Sequence, residues 1–449
     1  MIAVLGAIAA LLASALALHN AYSWVQVPLA ILILLLGIGF TLWRQAALPI
    51  ILEESEYIGR IIIQSEPGPA GRQFAAYGEL DSGLRVRLVF APSLETEVHY
   101  GDELLITGAL RPPEWNREFN ERGFLLAHGA VGVLENETIE KTGQNLGNPI
   151  IDKIFRLRAW LLKHLSQTLE PPNDTLIAGI LLGARTELAA NLKEAFQRTG
   201  LTHILVASGS NVLVLALAVQ FLLLPFGRRL SLYVSLALVV IFMILAGLDA
   251  SVVRAGIFYA FTVLALLMGR QVHLPTTLLS VAGLLALINP WAPRFDISFQ
   301  LSFAAVAGLF IFTPVFLKWL PAWSGREYLA PTLAAELATL PIILYYFNEV
   351  SIVAPLANVL VLPFVPALMG LGFLALILGW LPIIPWVTNG ISTVILTVVS
   401  FFSAQTWASA DLISASAKSI LLIILLGMIG IMSVIRIRLN FQEVVGDER

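Results

Sequence analysis

Polar and ionisable side chains stand out where their neighbours are apolar, and this sequence has three such places. The run Gly200-Leu-Thr-His203-Ile-Leu-Val-Ala-Ser208-Gly209-Ser210-Asn211-Val212 sets a Ser-Gly-Ser-Asn cluster early in an apolar segment, 203–225. Ser-Gly invites a kink, and Ser and Asn can satisfy the backbone groups a kink frees. Such a cluster serves either as glue between helices or as part of a pore or substrate site. The second place is Ala246-Gly-Leu-Asp249-Ala-Ser251-Val-Val-Arg254-Ala-Gly256. Asp249 ends one span and Arg254 lies a little way into the next. An ionisable group at that depth is costly, so Arg254 either faces a polar interior, paired with Asp249 or meeting a passing phosphate, or snorkels to the interface. The third is Phe295-Asp296-Ile-Ser298-Phe-Gln300-Leu-Ser302-Phe, with polar residues spaced by two. Glu336 and Asn358 are further polar groups within apolar segments, each open to a purely structural explanation.

Hydrolytic chemistry finds little footing. His203, Ser208 and Asp249 could supply a triad by residue type, but no G-x-S-x-G elbow surrounds the serine. The six histidines are scattered and there is no cysteine, so neither a clustered metal site nor a thiol nucleophile is expected. No G-x-x-x-x-G-K-[ST] run is present to drive transport by ATP. The sequence predicts no catalysis and no cofactor.

These residues need elements to hold them, and composition says what kind. Of 449 residues, 58% are hydrophobic and only 13% charged, with a mean hydropathy of +0.84. A soluble domain carries about 25% charged residues, so the chain reads as a polytopic α-helical membrane protein of about ten to eleven spans. Net charge is −3, which points to no polyanionic partner by total alone. The distribution says more: residues 44–149 hold nine basic and sixteen acidic residues, while 150–449 carry a basic excess.

Residues 1–18 and 25–43 are apolar runs of spanning length and are read as an N-terminal transmembrane hairpin rather than a signal peptide. From Leu52 to Asn148 the texture becomes short alternating stretches broken by Gly and Pro. Strands are predicted at Tyr57–Gln64, Gln73–Leu80, Leu84–Phe90, Glu103–Leu110 and Gly129–Leu134. Five short strands suit a small β-barrel of OB type inserted at 44–149. Ile150–Leu169 has apolar residues at helical spacing among Lys153, Arg156, Arg158 and Lys163, the pattern of an amphipathic helix at a membrane surface. A second segment, Thr175–Thr199, capped by Asn173 or Asp174, is too polar for an ordinary lipid-facing span; it carries Arg185, Lys193 and Arg198.

Beyond Gly200, apolar segments follow at 203–225, 231–248, 252–268, 275–290, 297–317, 329–347, 352–381, 386–406 and 418–437, leaving a short tail, 438–449. The segment 352–381 is interrupted by Pro363, Pro366, Gly370 and Gly372 and is read as a broken helix. Arg228-Arg229, Arg270, Lys318 with Arg326, and Arg436 with Arg438 fall on one face by span counting. The positive-inside rule makes that face and the tail cytoplasmic, and the β domain external.

Taken in order, these landmarks resemble the ComEC family of competence membrane proteins. Gly200-Leu-Thr-His203 leading into Ala207-Ser208-Gly209-Ser-Asn-Val is similar to its signature. Arg254-Ala255, Arg270, Asn289-Pro290, Ser298-Phe-Gln-Leu-Ser-Phe303, Pro341 and Asn358–Pro363 resemble its later landmarks. Gly101-Asp102 to Gly108, Arg111-Pro-Pro113 and Phe119 to Gly129 resemble its OB-like domain. Asn211 stands where the family usually has histidine, and Asp249 where it usually has a small or hydroxyl residue. The metallo-β-lactamase-like domain of many members is not in this sequence, so nuclease activity is not implied.

What the resemblance implies is a channel component importing single-stranded DNA during natural transformation. It would act in a bacterial cytoplasmic membrane, with a separate nuclease, the DNA-uptake machinery and possible homo-oligomers as partners. Pore candidates are then His203, Ser208, Gly209, Ser210, Asn211, Asp249, Arg254, Gln300, Glu336 and Asn358. Backbone phosphates would meet Lys153, Arg156, Arg158, Lys163, Arg185, Lys193 and Arg198 rather than the acidic barrel. A carrier or flippase for another solute, or a non-transporting scaffold, remains the rival reading.

Overall fold

The computed structural model describes residues 53–411, apart from 71–72, 92–97, 115–119, 185–188, 324 and 348, together with 425 and 427–432. The expected N-terminal hairpin, most of the last span and the tail lie outside the described residues.

The β domain is built as the alternation requires. Strands β1 (Ser55–Ile63), β2 (Gly68–Ala70), β3 (Gln73–Leu80), β4 (Arg85–Phe90), β5 (Asp102–Arg111) and β6 (Val133–Asn145) form one sheet ordered β1-β5-β6-β4-β3-β2. An extra β1–β3 pairing closes β1, β3, β4, β6 and β5 into a barrel, with β4–β6 the one parallel pair among them. Every second residue of β3 and β4 is buried (Phe74, Ala76, Leu80, Val86, Leu88, Phe90), packing with Ile61, Ile63, Leu104 and Ile106. Closure removes the sheet edges that an open five-stranded sheet would expose. One expectation needed correction here. The last strand starts at Val133 rather than Gly129 and runs on to Asn145, and a helix, α1 (Glu121–Ala127), precedes it. Asn120 starts that helix by accepting the Gly123 amide at 2.9 Å.

The amphipathic segment is helix α2 (Pro149–Thr168), capped by Asn148. The polar segment after it is not one helix but two, α3 (Asn173–Leu182) and α4 (Ala190–Arg198). Neither Asn173 nor Asp174 caps α3. Pro172 holds the cap position, and Asn173 is buried inside the first turn. Arg185 falls outside the described residues.

Next come α5 (Gly209–Leu223), α6 (Arg228–Leu245), α7 (Ala250–Leu267), α8 (Leu274–Ile288), the single turn α9 (Ala292–Phe295), α10 (Ile297–Trp319) and α11 (Arg326–Tyr346). Strand β7 (Glu349–Ser351) leads into α12 (Ala354–Val361) and α13 (Phe364–Leu378), then α14 (Ile383–Ser403) and β8 (Ser409–Asp411), which pairs with β7. Among the described residues six helices are long and apolar enough to cross a membrane. A seventh crossing would be α12 with α13, which bend by 45° at the break where prolines were expected to interrupt the helix. The chain is therefore a multi-pass membrane protein carrying a small barrel.

Two apolar cores hold the helices. One joins α2 to α7 with α12, α13 and α14; the other joins α8 to α11 with Leu425, Ile429 and Met432. Ile257, Phe258 and Phe261 of α7 pack against the second core and stitch the two together. Helix direction alternates, so the basic loops around Arg228, Arg270, Lys318 and Arg326 share one end. The barrel docks at the other end, where α1 meets α9: a Cβ on Gly123 would overlap the Phe295 ring, and Asn289 Nδ2 donates to the Ala127 carbonyl at 2.5 Å. Exposed Trp319, Trp323, Trp380 and Trp386 ring the basic end, as interfacial tryptophans do.

Candidate functional site

The Ser-Gly-Ser-Asn cluster sits before its helix rather than within it. Thr202–Ile204 is a short 3₁₀ turn containing His203, and α5 begins only at Gly209, so the cluster forms the barrel-end mouth of the span. Ser208 and Ser210 exchange a hydroxyl hydrogen bond at 2.7 Å, and Ser208 donates to Asn211 Oδ1 at 3.2 Å. Asn211, only 2% exposed, donates through Nδ2 to the Ile180 carbonyl at 2.8 Å. That carbonyl is in the last turn of α3, where no intrahelical amide remains to satisfy it. Asn211 therefore closes α3 against α5, and the glue reading applies to it directly.

Other chains of contact converge there. Ser251 in the first turn of α7 donates to the Ala207 carbonyl at 3.2 Å, and a Cβ on Gly209 would lie 3.2 Å from the Ala255 methyl. Arg158 reaches from α2 to donate to the carbonyls of Leu182 at 3.2 Å and Gly183 at 3.4 Å. Gly183 takes a left-handed conformation (φ 61°) that ends α3 and turns those carbonyls outward, and a cation there also suits the negative helix terminus.

Arg254 is 3% exposed and does face the interior, but its partner is not Asp249. Nη1 lies 3.5 Å from Asp296 Oδ2, and Nη2 donates to the Ser298 carbonyl at 2.9 Å and its hydroxyl at 2.6 Å. Asp249 instead caps α7 by accepting the Ser251 amide. Asp296 caps α10 in the same way through Ser298. Two capping aspartates thus face the guanidinium from different helices, and only folding brings the one 42 residues away into contact. Gln300 is buried and donates to the carbonyls of Pro293 and Arg294, fixing the α9–α10 corner. Glu336 and Asn358 meet each other: Asn358 Nδ2 donates to Glu336 Oε1 at 3.2 Å, tying α11 to α12 away from the mouth.

The basic residues divide sharply. Arg158 is used as described, and Arg198 donates to the Gln405 carbonyl at 3.1 Å. Arg156 makes an exposed pair with Asp152 on its own helix, and Lys153, Lys163 and Lys193 are exposed. One feature of α2 escaped the sequence reading. Trp160, 57% exposed, stacks parallel on His164 at 5.4 Å between ring centres, on the side that carries Lys153, Arg156 and Lys163. The i, i+4 spacing of the two rings was the available signal.

Fold and site together define a polytopic helical membrane protein whose polar mouth lies beneath a small barrel and beside a basic helix. Residues 180–437 match the Competence protein family. With more than half of its length matched, the chain belongs to that family, the ComEC-type competence membrane proteins. It is 27% identical over 214 residues to ComE operon protein 3 of Bacillus subtilis (strain 168), covering 47% of this chain and 27% of that protein. It is also 27% identical over 244 residues to the uncharacterized protein YcaI of Escherichia coli (strain K12), covering 50% and 32%. The chain thus spans a third or less of the length of these relatives. No solved structure matches.

Proposed function

We propose that this chain is a membrane channel component for importing single-stranded DNA during natural transformation. It would lie in the cytoplasmic membrane with the barrel outside and work alongside a separate nuclease and the uptake machinery. One observation carries the reading: α2 presents Lys153, Arg156 and Lys163 with an exposed Trp160–His164 stack, and its own Arg158 clamps it to the mouth formed by α3, α5 and α7. Cations spaced along a helix with an exposed ring suit a strand of any sequence, because phosphates repeat and every base has a face to stack. The barrel, acidic in sum, is a scaffold in this reading. The family and the name of the Bacillus subtilis relative favour DNA uptake over a small-solute carrier.

The test is salt-dependent binding of single-stranded oligonucleotides to the full-length protein in nanodiscs. Replacing Lys153, Arg156 and Lys163 together by Gln should flatten the log–log salt slope by about 2, since each phosphate contact on a single strand contributes about 0.7. Trp160→Ala should weaken binding roughly tenfold through one lost stacking contact. An unchanged slope with weakened membrane association would make α2 a lipid-surface helix and refute the strand path.

A further inference from the structure

Glu336 sits ten residues from either end of α11, about 15 Å from both by helical rise, which is the middle of a bilayer. A carboxylate at that depth needs a cation, several donors or water to remain ionised. Among the described residues, the elements packed against α11 offer none. Helix α10 brings Asp296 and Lys318 only at its two ends, α12 and residues 427–432 contain no charged residue, and β7 carries Glu349 at the barrel end. The remaining titratable groups of α11 itself are Arg326, Glu327 and Tyr328 in its first turn and Tyr345 and Tyr346 in its last.

Beside Glu336 lies a second observation. Asn358 is 6% exposed and gives its Nδ2 to Glu336 Oε1, while its Oδ1 is buried without a hydrogen-bond partner. The missing group is a donor, and a neutral carboxyl is the one side-chain form of glutamate that has one. An acid and an amide can satisfy each other with two hydrogen bonds; a carboxylate and an amide can make only the one seen. Turning the amide over would set two oxygens 3.2 Å apart, an approach that only an intervening proton makes favourable. Asn358 is also part of the bent pair α12–α13, whose axis turns by 45° just beyond it.

We propose that Glu336 and Asn358 form a proton-binding site in the middle of the membrane, the proton coming from water and residing on the Glu336 carboxyl. The site stands apart from the strand reading, and so does its test. Infrared difference spectroscopy of the full-length protein in nanodiscs at neutral pH should show the carbonyl stretch of a protonated carboxylic acid. Glu336→Gln should remove that band, and Asn358→Leu should move it to higher frequency because the acid loses the amide donor. Glu336→Asp, which keeps an acid at the position, should retain a band and guards against misfolding of the Gln variant. A spectrum unchanged by Glu336→Gln, a band indifferent to Asn358→Leu, or a band erased at constant pH by sodium chloride would each overturn the assignment, the last by making the site one for a metal cation.

Discussion

The mouth of the bundle and the outward face of α2 lie close together, yet they treat charge in opposite ways. Among the described residues at the mouth, the buried ionic and amide groups serve the fold: Arg254 joins α7 to α10, Asn211 joins α5 to α3, and Arg158 ends α3. On α2, Lys153, Arg156 and Lys163 stay exposed, and the Arg156–Asp152 pair is a surface contact of small value. Burial explains the split. Desolvating a cation is tolerable only when protein groups replace the water, so a deeply placed charge is already committed. Charges that remain in contact with solvent have hydration to exchange for a ligand. The intramembrane arginine is thus a clasp, and under the proposed function the less conspicuous surface residues are the ones that would meet a strand.

The contrast is open to attack by mutation, beginning with Arg254. Arg254→Leu strands Asp296 and two oxygens of Ser298, and should destabilise the protein by about 3 kcal/mol. Asp296→Asn, which keeps a capping oxygen, should restore part of that loss, whereas Asp249→Leu should not. Unfolding midpoints in mixed micelles measure all three variants, and rescue through Asp249 instead would sink the pairing described here. Next in size, Asn211→Leu leaves the Ile180 carbonyl buried and unbonded, at a cost of about 1–3 kcal/mol. Loss of DNA uptake without loss of stability in that variant would move Asn211 from clasp to pore.

A smaller effect is expected in the barrel, where Arg111 bridges Glu121 at 2.8 Å and Glu135 at 2.7 Å. Burial alone would push the Glu121 carboxyl up, but hydrogen bonds from Arg111 and the Glu114 amide outweigh it and hold it below the usual carboxylate range. A carboxyl lowered by folding contributes stability above its unfolded value and loses it as pH falls through the folded one. Protection of barrel amides against hydrogen exchange, corrected for intrinsic rates, should therefore drop in acid, and Glu121→Gln should reduce that dependence at a cost of about 1–2 kcal/mol. The smallest effect belongs to α2. Replacing Lys153, Arg156 and Lys163 by Gln should change stability by no more than about 0.5 kcal/mol. A larger loss would place those residues with the clasps and erase the distinction.

Some of this was legible in the residues because it is local. Period-two alternation marked β3 at its observed bounds, and helical spacing marked α2 to within a residue or so. Prolines announced the break between α12 and α13. The ordered landmarks from Gly200 to Pro363 were enough to suggest the family that residues 180–437 match. Each of these signals is carried by neighbours in sequence, through backbone geometry or through the free energy of moving a side chain out of water.

What the chain could not announce was which distant group each polar side chain would meet. Arg254 has an aspartate five residues away and another 42 away, and only the packing of α7 against α10 selects the second. The Ser-Gly-Ser-Asn cluster looked interior to a span because hydropathy averages over a window, while α5 starts only at Gly209, next to the bonds that Asn211 makes to Ile180 and Ser251 makes to Ala207. Glu336 and Asn358, 22 residues apart, meet because α12 folds back along α11. Sequence therefore determined which residues must leave water and which segments could carry them, since both are properties of a few adjacent side chains. Tertiary structure alone decided which buried polar groups became partners, since only the packed helices bring the complementary donors and acceptors within bonding distance.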